Sequence, residues 1–472
     1  MSKPRILFVC HGHPDLTPGG TEILARDLCH AVRDAGYAET RYLGCVTRLH
    51  RAHCPETRLQ RIGASPSEML MWVGRYDPFA MAQPDLDGFV QTMGEVLAEV
   101  RPDIVHFHHL SLIGLDALTV VRRLLPGVRI IVTLHDYTTL CFNEGLLTGT
   151  TSGSLCLGPT PQRCHDCFPH IPQSRFLIRS VHIRTMLGLV DHFIAPSHFL
   201  RQRFVEWGLP PERVRVIANV VPQHEERNRN SNRGAPKRGS FGFFGNIAPH
   251  KGILVALAAV DRLADAPVSL AIHGGLHFQS EAFKAAFTGA LAALPKTVCW
   301  HGTYARSAIA RLMAGVAWVI VPSTWWENAP LVILEAFRHR RPVICSGIGG
   351  MAEMVEDGVS GLHFRSGDAV DLARTMRRAA TEQGLLERLQ RGLPDVPEPS
   401  DAAAWHARLY REVLDKDDVN LPPATLEEPA QQHRAASPAD AVIARCSQDT
   451  RSEGLKHSAR SGCRTHRPLL AE

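Results

Sequence analysis

The feature that most constrains the fold is a repeated alternation of short apolar runs with longer helical patterns. In the first half of the chain, the candidate strands are Arg5–Cys10, Asp103–Phe107, Arg129–Leu134, His192–Ala195 and Val214–Ile217. These runs are apolar on both faces, which is typical of parallel strands covered by helices. The pattern predicts an α/β fold built on a doubly wound parallel sheet.

The same alternation restarts in the second half. Residues 223–238 are polar and lack apolar periodicity, so we interpret them as a linker. The candidate strands beyond it are Ser240–Phe244, Val268–His273, Thr297–His301, Val316–Val321 and Arg341–Cys345. A chain of 472 residues is too long for one compact core. We therefore expect two Rossmann-like domains, at 1–222 and 239–395.

The end of the chain has a different pattern. A helical pattern at Ala402–Leu414 follows three prolines, and we expect residues 396–415 to pack back on the first domain. Residues 416–472 are rich in Pro, Ala, Ser, Arg and Glu and show little apolar patterning. This composition predicts a disordered tail.

Composition narrows the class of protein. Hydrophobic residues make up 44% and charged residues 21%, which is ordinary for a soluble enzyme. A net charge of +5 gives no argument for a nucleic-acid partner. The first apolar stretch stops at His11, too early for a signal peptide, and no run reaches the length of a membrane span. We therefore expect a cytoplasmic protein whose twelve cysteines are mostly reduced.

Four cysteines lie close together in the first domain, in a segment that we interpret as an insertion at 141–167. They are Cys141, Cys156, Cys164 and Cys167. The last two have Cys-x2-Cys spacing, which is usual for two ligands of one Zn²⁺. One interpretation is a structural zinc site that orders this loop. The other is a set of reduced thiols, or fewer than four cysteine ligands with His165 substituting.

The most informative segment is 319–336, which has the pattern of a strand, a tight loop and a helix. Pro330 suits the first turn of that helix because a proline lacks the N–H that would be unpaired there. Unpaired N–H groups that attract phosphate are then expected at Ala329, Leu331 and Val332. Glu327 precedes the helix and Glu335 lies within it, so their carboxylates can hold different hydroxyls of one elongated ligand. Taken alone, the two are better explained as a solvated and a capping glutamate, and the surrounding Pro-Ser, Trp-Glu-Asn and Pro-Leu context reverses that preference.

This segment resembles the Glu-x7-Glu signature of glycosyltransferase family 4, which comprises retaining enzymes of the GT-B fold. Its variant Trp-Glu-Asn-x-Pro-Leu is similar to a subgroup acting on bacterial surface polysaccharides. The resemblance spans Arg5 to Leu414 and implies two domains that face each other across a cleft. It also implies that Glu327 contacts the donor sugar and Glu335 the ribose, with Asn328 in the same donor-binding motif.

Other segments match the family in the same order. The stretch 244–252 resembles the first phosphate loop of the second domain, with Gly245 and Asn246 at the donor. Lys251 then stabilises the diphosphate leaving group. The family often has Arg where Asn246 stands, which places more of that task on Lys251. Gly349 and Gly350 resemble a turn near the nucleotide, although a plain strand–helix turn explains them as well.

Two segments of the first domain also match. Gly19 and Gly20 follow the first strand and open a helix, in a loop that borders the cleft in the family; alone they would indicate only a turn. His135 ends a strand, at the edge where open α/β sheets bind ligands. It resembles the family residue that contacts the donor sugar, and the alternative is a structural histidine. The histidines of 106–109 also end a strand, and one of them is a candidate for the acceptor pocket.

The resemblance implies transfer of a sugar from a nucleotide-diphosphate donor to a saccharide or lipid-linked acceptor in surface polysaccharide or glycolipid biosynthesis. No Asp-x-Asp stands at a strand end, so we expect no cofactor or catalytic metal. The basic, partly apolar segment 175–187 is either a contact with the inner membrane or a packing helix. The alternatives in function are a sugar-nucleotide epimerase and a non-catalytic nucleotide-sugar-binding protein.

Overall fold

Two β-sheets covered by helices make up the part of the chain that the computed structural model describes. The described residues are 3–50, 52, 57–62, 65, 67–221, 236–277 and 279–415. Both sheets are built mainly from parallel strands that alternate with helices. The predicted α/β fold with two Rossmann-like units is thereby confirmed.

The first sheet contains the strands β1 (Arg5–Cys10), β2 (Glu39–Val46), β3 (Leu59–Arg61), β4 (Glu68–Trp72), β5 (Ile104–His108), β6 (Arg129–Thr133), β7 (His192–Ala195) and β8 (Val214–Val216). Their order is β3-β4-β2-β1-β5-β6-β7-β8, and only the β3–β4 pair is antiparallel among these described strands. The helices are α1 (Gly20–Asp34), α2 (Leu86–Val100), α3 (Asp116–Leu124), α4 (Pro161–Cys167), α5 (Gln173–Leu187) and α6 (His198–Trp207). The strand order reverses between β1 and β5, where open α/β sheets form a ligand crevice.

The second sheet contains the strands β9 (Ser240–Phe244), β10 (Ser269–His273), β11 (Val298–Trp300), β12 (Trp318–Val321), β13 (Val343–Ser346) and β14 (Gly361–Phe364). Their order is β11-β10-β9-β12-β13-β14 and all pairs are parallel. The helices are α7 (Ile253–Asp261), α8 (Glu281–Ala292), α9 (Ile309–Ala314), α10 (Leu331–Arg338), α11 (Gly349–Met354), α12 (Ala369–Thr381), α13 (Leu385–Arg391) and α14 (Pro399–Leu414). Here the order reverses between β9 and β12, which defines a second crevice.

Some strands differ from the sequence prediction. β1, β7 and β9 have the predicted bounds, whereas β2, β3, β4 and β14 were not predicted. β2 begins with Glu39, Thr40 and Arg41, so its apolar run is short. Gly361 is the first residue of β14, where an added Cβ would lie 2.1 Å from the carbonyl oxygen of Val343 on β13.

The last described helix, α14, returns to the first sheet. It packs against α1, and its Leu409 and Tyr410 side chains are buried together with Ile6 and Phe8 of β1. The chain therefore contributes to the first sheet again after completing the second. Most of the predicted linker (222–235) and the whole predicted tail (416–472) lie outside the described residues. Within the described ranges, none of the helices has both the length and the apolarity that crossing a membrane requires.

Candidate active site

A close approach between the loops after β9 and β12 creates the centre of the site. Gly252 has φ +70°, and an added Cβ would lie 1.8 Å from the carbonyl oxygen of Pro322. Only glycine permits this contact. The N–H of Thr324 then donates to the carbonyl of His250 at 2.8 Å. As a result, Nζ of Lys251 lies 2.7 Å from a carboxylate oxygen of Glu327.

The carboxylate of Glu327 is buried and charged. Its side chain also accepts a hydrogen bond of 2.7 Å from the hydroxyl of Ser323. Burial acts to raise the pKa of Glu327, but Lys251 and these hydrogen bonds outweigh it and hold that pKa below its usual value. The ammonium of Lys251 also lies 5.3 Å from the ring centre of Trp325. The two charges are therefore positioned before any ligand binds.

The start of α10 differs in detail from the prediction. Pro330 is the N-cap residue and not part of the first turn, so the helix begins at Leu331. The N–H of Ala329 was predicted to be unpaired, which is wrong, because it donates to the side-chain oxygen of Asn328. Leu331 and Val332 occupy the first turn, where backbone N–H groups lack intrahelical acceptors.

Residues of the first sheet meet this loop directly. The side-chain amide of Asn328 donates to the carbonyl oxygen of His135, two residues beyond the end of β6. An added Cβ on Gly20 would lie 3.6 Å from the Leu331 side chain, so the loop of Gly19 and Gly20 borders α10. The structure thus brings together predicted residues from both halves of the chain.

Gly350 supports the Glu327 loop from the other side. Its N–H donates to the carbonyl of Glu327 at 2.8 Å, and an added Cβ would lie 1.6 Å from the carbonyl oxygen of Asn328. Gly349 beside it has φ +58°. Both glycines therefore have a packing role against the Glu327 loop.

Glu335, Gly245 and Asn246 lie apart from the ion pair. Burial raises the pKa of Glu335, and the charge of Arg306 opposes that effect. Arg306 forms an ion pair of 2.8 Å with Asp27 of α1. Asn246 is exposed after β9, and among the described residues the side chain of Glu327 is bonded to Lys251 and Ser323 and not to Asn246. The sequence analysis missed Arg306, although its place after β11, at the carboxyl edge of the sheet, is a usable signal.

Four charged side chains cluster at the carboxyl ends of β1, β5 and β6. His11 pairs with Glu22 at 3.0 Å, and His109 pairs with Asp136 at 2.7 Å. The two imidazole rings are 4.4 Å apart. Burial and His109 act to lower the pKa of His11, but hydrogen bonds to Cys10 and Glu22 outweigh them and raise it to about 9. Of this cluster, the sequence analysis named only His109 as a candidate.

The cysteine-rich insertion (141–167) forms a hydrogen bond with the loop that carries Glu327. The indole N–H of Trp326, next to Glu327, donates to the carbonyl of Cys156 at 2.9 Å. Burial raises the pKa of Cys164 to about 11, and the nearby Cys141 and Cys156 add to that rise. However, no three His, Cys, Asp or Glu side chains in the described ranges are placed to hold a metal ion. The four thiols do not fit zinc in this arrangement, and the zinc site stays a prediction.

Arg179 does not contribute to a basic surface. Its buried guanidinium donates to the carbonyls of Phe79, Thr138 and Thr139 at 2.9 to 3.0 Å. The basic segment 175–187, which forms most of α5, therefore packs partly against the protein interior. Its exposed apolar residues are Leu177 and Ile178.

Comparison with known proteins supports this description. A family model described as Glycosyltransferase Family 4 matches residues 18–224, and one described as Glycosyl transferases group 1 matches residues 238–382. The structure of the Anabaena protein HepE in complex with UDP and glucose superposes with a TM-score of 0.60 at 18% identity, covering 86% of this chain and 100% of HepE. The chain has the GT-B fold. In this GT-B protein, the two matched regions correspond to the two sheets.

Two curated relatives are similar over shorter stretches of the GT-B chain. A D-inositol 3-phosphate glycosyltransferase of Streptomyces bingchenggensis is 34% identical over 99 residues, which is 20% of this chain. A glycogen synthase of Edwardsiella ictaluri is 29% identical over 187 residues, which is 37% of this chain. The chain spans only 22% and 38% of the lengths of these relatives.

Proposed function

We propose that this protein is a retaining, metal-independent glycosyltransferase that takes a sugar from a nucleotide-diphosphate donor. The acceptor is a saccharide or a lipid-linked saccharide of bacterial surface polysaccharide or glycolipid biosynthesis. The observation that carries the proposal is the ion pair between the partly buried Lys251 and the buried Glu327, positioned beside the start of α10 and the strand end at His135. The match of both sheets to glycosyltransferase family models supports it.

Each group at the centre has a role in this proposal. Glu327 accepts hydrogen bonds from the hydroxyls of the donor sugar, and Glu335 accepts them from the ribose. Lys251 and the first N–H groups of α10 stabilise the charge that develops on the diphosphate. His135 contacts the donor sugar from the first sheet.

The reaction follows from these roles. The bond between the anomeric carbon and the phosphate oxygen breaks, and the acceptor hydroxyl attacks from the same face. The departing phosphate oxygen takes the acceptor proton, so no protein nucleophile is required. The chain binds, orients and stabilises charge, which suffices for catalysis of this kind.

A donor screen tests the proposal. The chain is incubated with UDP-, GDP- and dTDP-sugars, and thermal stability is measured for each. The stabilising donor is then used in a transfer assay with and without lipid-linked acceptor, and NMR of the product gives the anomeric configuration. Transfer with retention supports the proposal. Conversion of the donor to an epimer without acceptor, or donor binding without turnover in the presence of acceptor, overturns it.

A peripheral contact with the inner membrane is part of the same proposal. Leu177 and Ile178 are exposed on α5, and the exposed Arg175 lies on the same helix. Such a surface suits anionic lipid headgroups. Sedimentation with vesicles containing phosphatidylglycerol tests it. We expect binding that Leu177→Ser and Ile178→Ser together abolish, and equal sedimentation of this variant and the wild type contradicts the contact.

A further inference from the structure

The chain passes from one sheet to the other twice, after β8 and before α14. Val221 is the last residue described before the first passage. Residues 393–398 make the second passage, from α13 at the second sheet to α14, which packs against α1. We call 219–221 and 393–398 the crossing segments. The side chain of Arg338, the last residue of α10, contacts both of them.

One guanidinium group makes these contacts. Nη2 of Arg338 donates to the carbonyl of Val221 at 2.8 Å and to the carbonyl of Pro397 at 2.8 Å. Nη1 donates to the carboxylate of Glu398, which is the N-cap residue of α14. The side chain of Arg338 is 10% exposed. Because a guanidinium group only donates, the direction of each of these bonds is fixed.

The arrangement depends on the shape and charge of an arginine. A buried charge is costly unless it is paired and hydrogen-bonded, and Glu398 and the two carbonyls satisfy both needs. The planar fork of the guanidinium directs separate N–H groups at two backbone segments, which the compact ammonium of a lysine does not match. The bonds therefore join α10 to two segments that are far from it in the sequence.

The same helix carries groups of the candidate donor site. It begins at Leu331, and Glu335 lies three residues before Arg338. A helix of this length measures about 12 Å and acts as a rigid element. The first crossing segment also contacts the start of the helix, because the side-chain amide of Asn219 donates to the carbonyl of Ala329 at 3.1 Å. The position of α10 is therefore tied to the crossing segments at both of its ends.

We propose that Arg338 is a positioning residue that fastens α10 to both crossing segments and so sets where its donor-site groups lie relative to the first sheet. His135 and Gly20 are the residues from the first sheet's side that approach the start of α10. Their alignment with α10 depends on how the crossing segments are held. The effect on catalysis rests on the proposed function, and the fastening itself does not.

Substitution of Arg338 tests the positioning role through activity. Arg338→Gln should lower kcat at least about tenfold, because small displacements of the reacting groups are costly. The Kd of the nucleoside diphosphate should stay within about threefold, because the groups proposed to bind it all lie in the second half. Arg338→Lys should restore part of kcat, since its ammonium can still pair with Glu398. A wild-type kcat in Arg338→Gln overturns the proposal.

Arg122 offers a matched control within the first half. Its guanidinium also donates to carbonyls of two segments, Val128 at 2.6 Å and Leu189 at 2.8 Å, and pairs with the carboxylate of Asp191. These partners precede β6 and β7, at the edge of the sheet opposite the candidate site. Arg122→Gln should lower the melting temperature as Arg338→Gln does, yet keep kcat within about threefold of the wild type. An equal loss of kcat in both variants overturns the positioning role.

Hydrogen exchange tests the fastening without any activity. Backbone amide exchange of the full chain is measured by mass spectrometry in the wild type and in both Arg338 variants. We expect Arg338→Gln to exchange faster in 217–221, 331–339 and 393–404 together, and Arg338→Lys to show the same pattern with smaller increases. Faster exchange confined to 331–339 overturns the fastening. A wild type that uses no sugar nucleotide would contradict the proposed function and leave this readout intact.

Discussion

Lys251 and Glu327 are 76 residues apart in the sequence, yet their side chains form an ion pair of 2.7 Å in the folded chain. The carboxylate of Glu327 is buried, whereas Lys251 is only partly buried, so loss of Lys251 leaves a buried charge without its partner. Substitutions that keep the size of the side chain, such as Glu327→Gln and Lys251→Arg, are therefore compared with the truncation Lys251→Ala.

Glu327→Gln should lower kcat by at least about 10²-fold, because the amide cannot replace the carboxylate in binding the donor sugar and in pairing with Lys251. The kcat of each variant is measured by steady-state kinetics with the donor that the screen identifies. Glu281→Gln is a matched control, since Glu281 is on the exposed face of α8 in the same half. A Glu327→Gln variant with wild-type kcat would remove Glu327 from the mechanism.

Lys251→Ala should lower kcat by at least about 10²-fold, the scale expected for loss of one preorganised charge at a leaving group. Lys251→Arg should restore part of the rate, because the guanidinium differs in shape and hydration. Lys284→Ala on the exposed α8 is the control. EDTA should leave wild-type turnover unchanged. Loss of activity in EDTA that Mg²⁺ or Mn²⁺ restores would contradict the metal-independent mechanism.

Trp326→Phe should reduce both stability and catalysis. The ring keeps most of its buried area but loses the N–H bond to Cys156, a loss of about 1 kcal/mol in the free energy of unfolding. Because Trp326 adjoins Glu327, kcat/KM should also fall. Trp318→Phe is the matched control, since the equally buried Trp318 loses an indole bond of 3.0 Å to the carbonyl of Arg238 at the amino end of β12. If the Trp326→Phe variant keeps wild-type kcat/KM, the insertion does not support the Glu327 loop.

If the four cysteines bind zinc in solution, chain purified under reducing conditions without chelator should contain about one zinc per chain. Cys164→Ser should then lose the metal and melt at a lower temperature. Elemental analysis and thermal melting measure both quantities. Metal-free wild-type protein would leave the thiols as the half-buried free groups of the structure.

The His11–Glu22 pair predicts a pH dependence of stability. The pKa of His11 is raised from 6.5 to about 9 in the folded chain. Because protonated His11 is favoured in the folded chain, its charge stabilises the fold fully at pH values below 6.5, its pKa in the unfolded chain. This contribution to the free energy of unfolding is lost as the pH rises through about 9. The difference in melting temperature between the wild type and His11→Gln should therefore be larger at about pH 6 than at about pH 9.5. A difference that does not change with pH would contradict the pairing.

Sequence reasoning reached the fold because most of the parallel strands leave an apolar pattern. It also named Lys251 and Glu327, which the structure brings together, because each lies in a short local motif. It did not reach the charged cluster of His11, His109 and Asp136. Those residues meet only because β1, β5 and β6 are neighbours in the sheet. The order of strands in a sheet cannot be predicted from the local sequence of each strand. The same holds for Arg306, whose partner Asp27 lies on the other half of the chain.

The return of α14 to the first sheet has a consequence for the order of folding. Residues 3–221 emerge from the ribosome long before residues 399–414, which supply Leu409 and Tyr410 to the core around Ile6 and Phe8. During synthesis this face of the first sheet is covered only by α1 until the entire second sheet has been made. The amino-terminal half is therefore a discontinuous folding unit, and the nascent chain carries exposed apolar surface while residues 222–398 are synthesised.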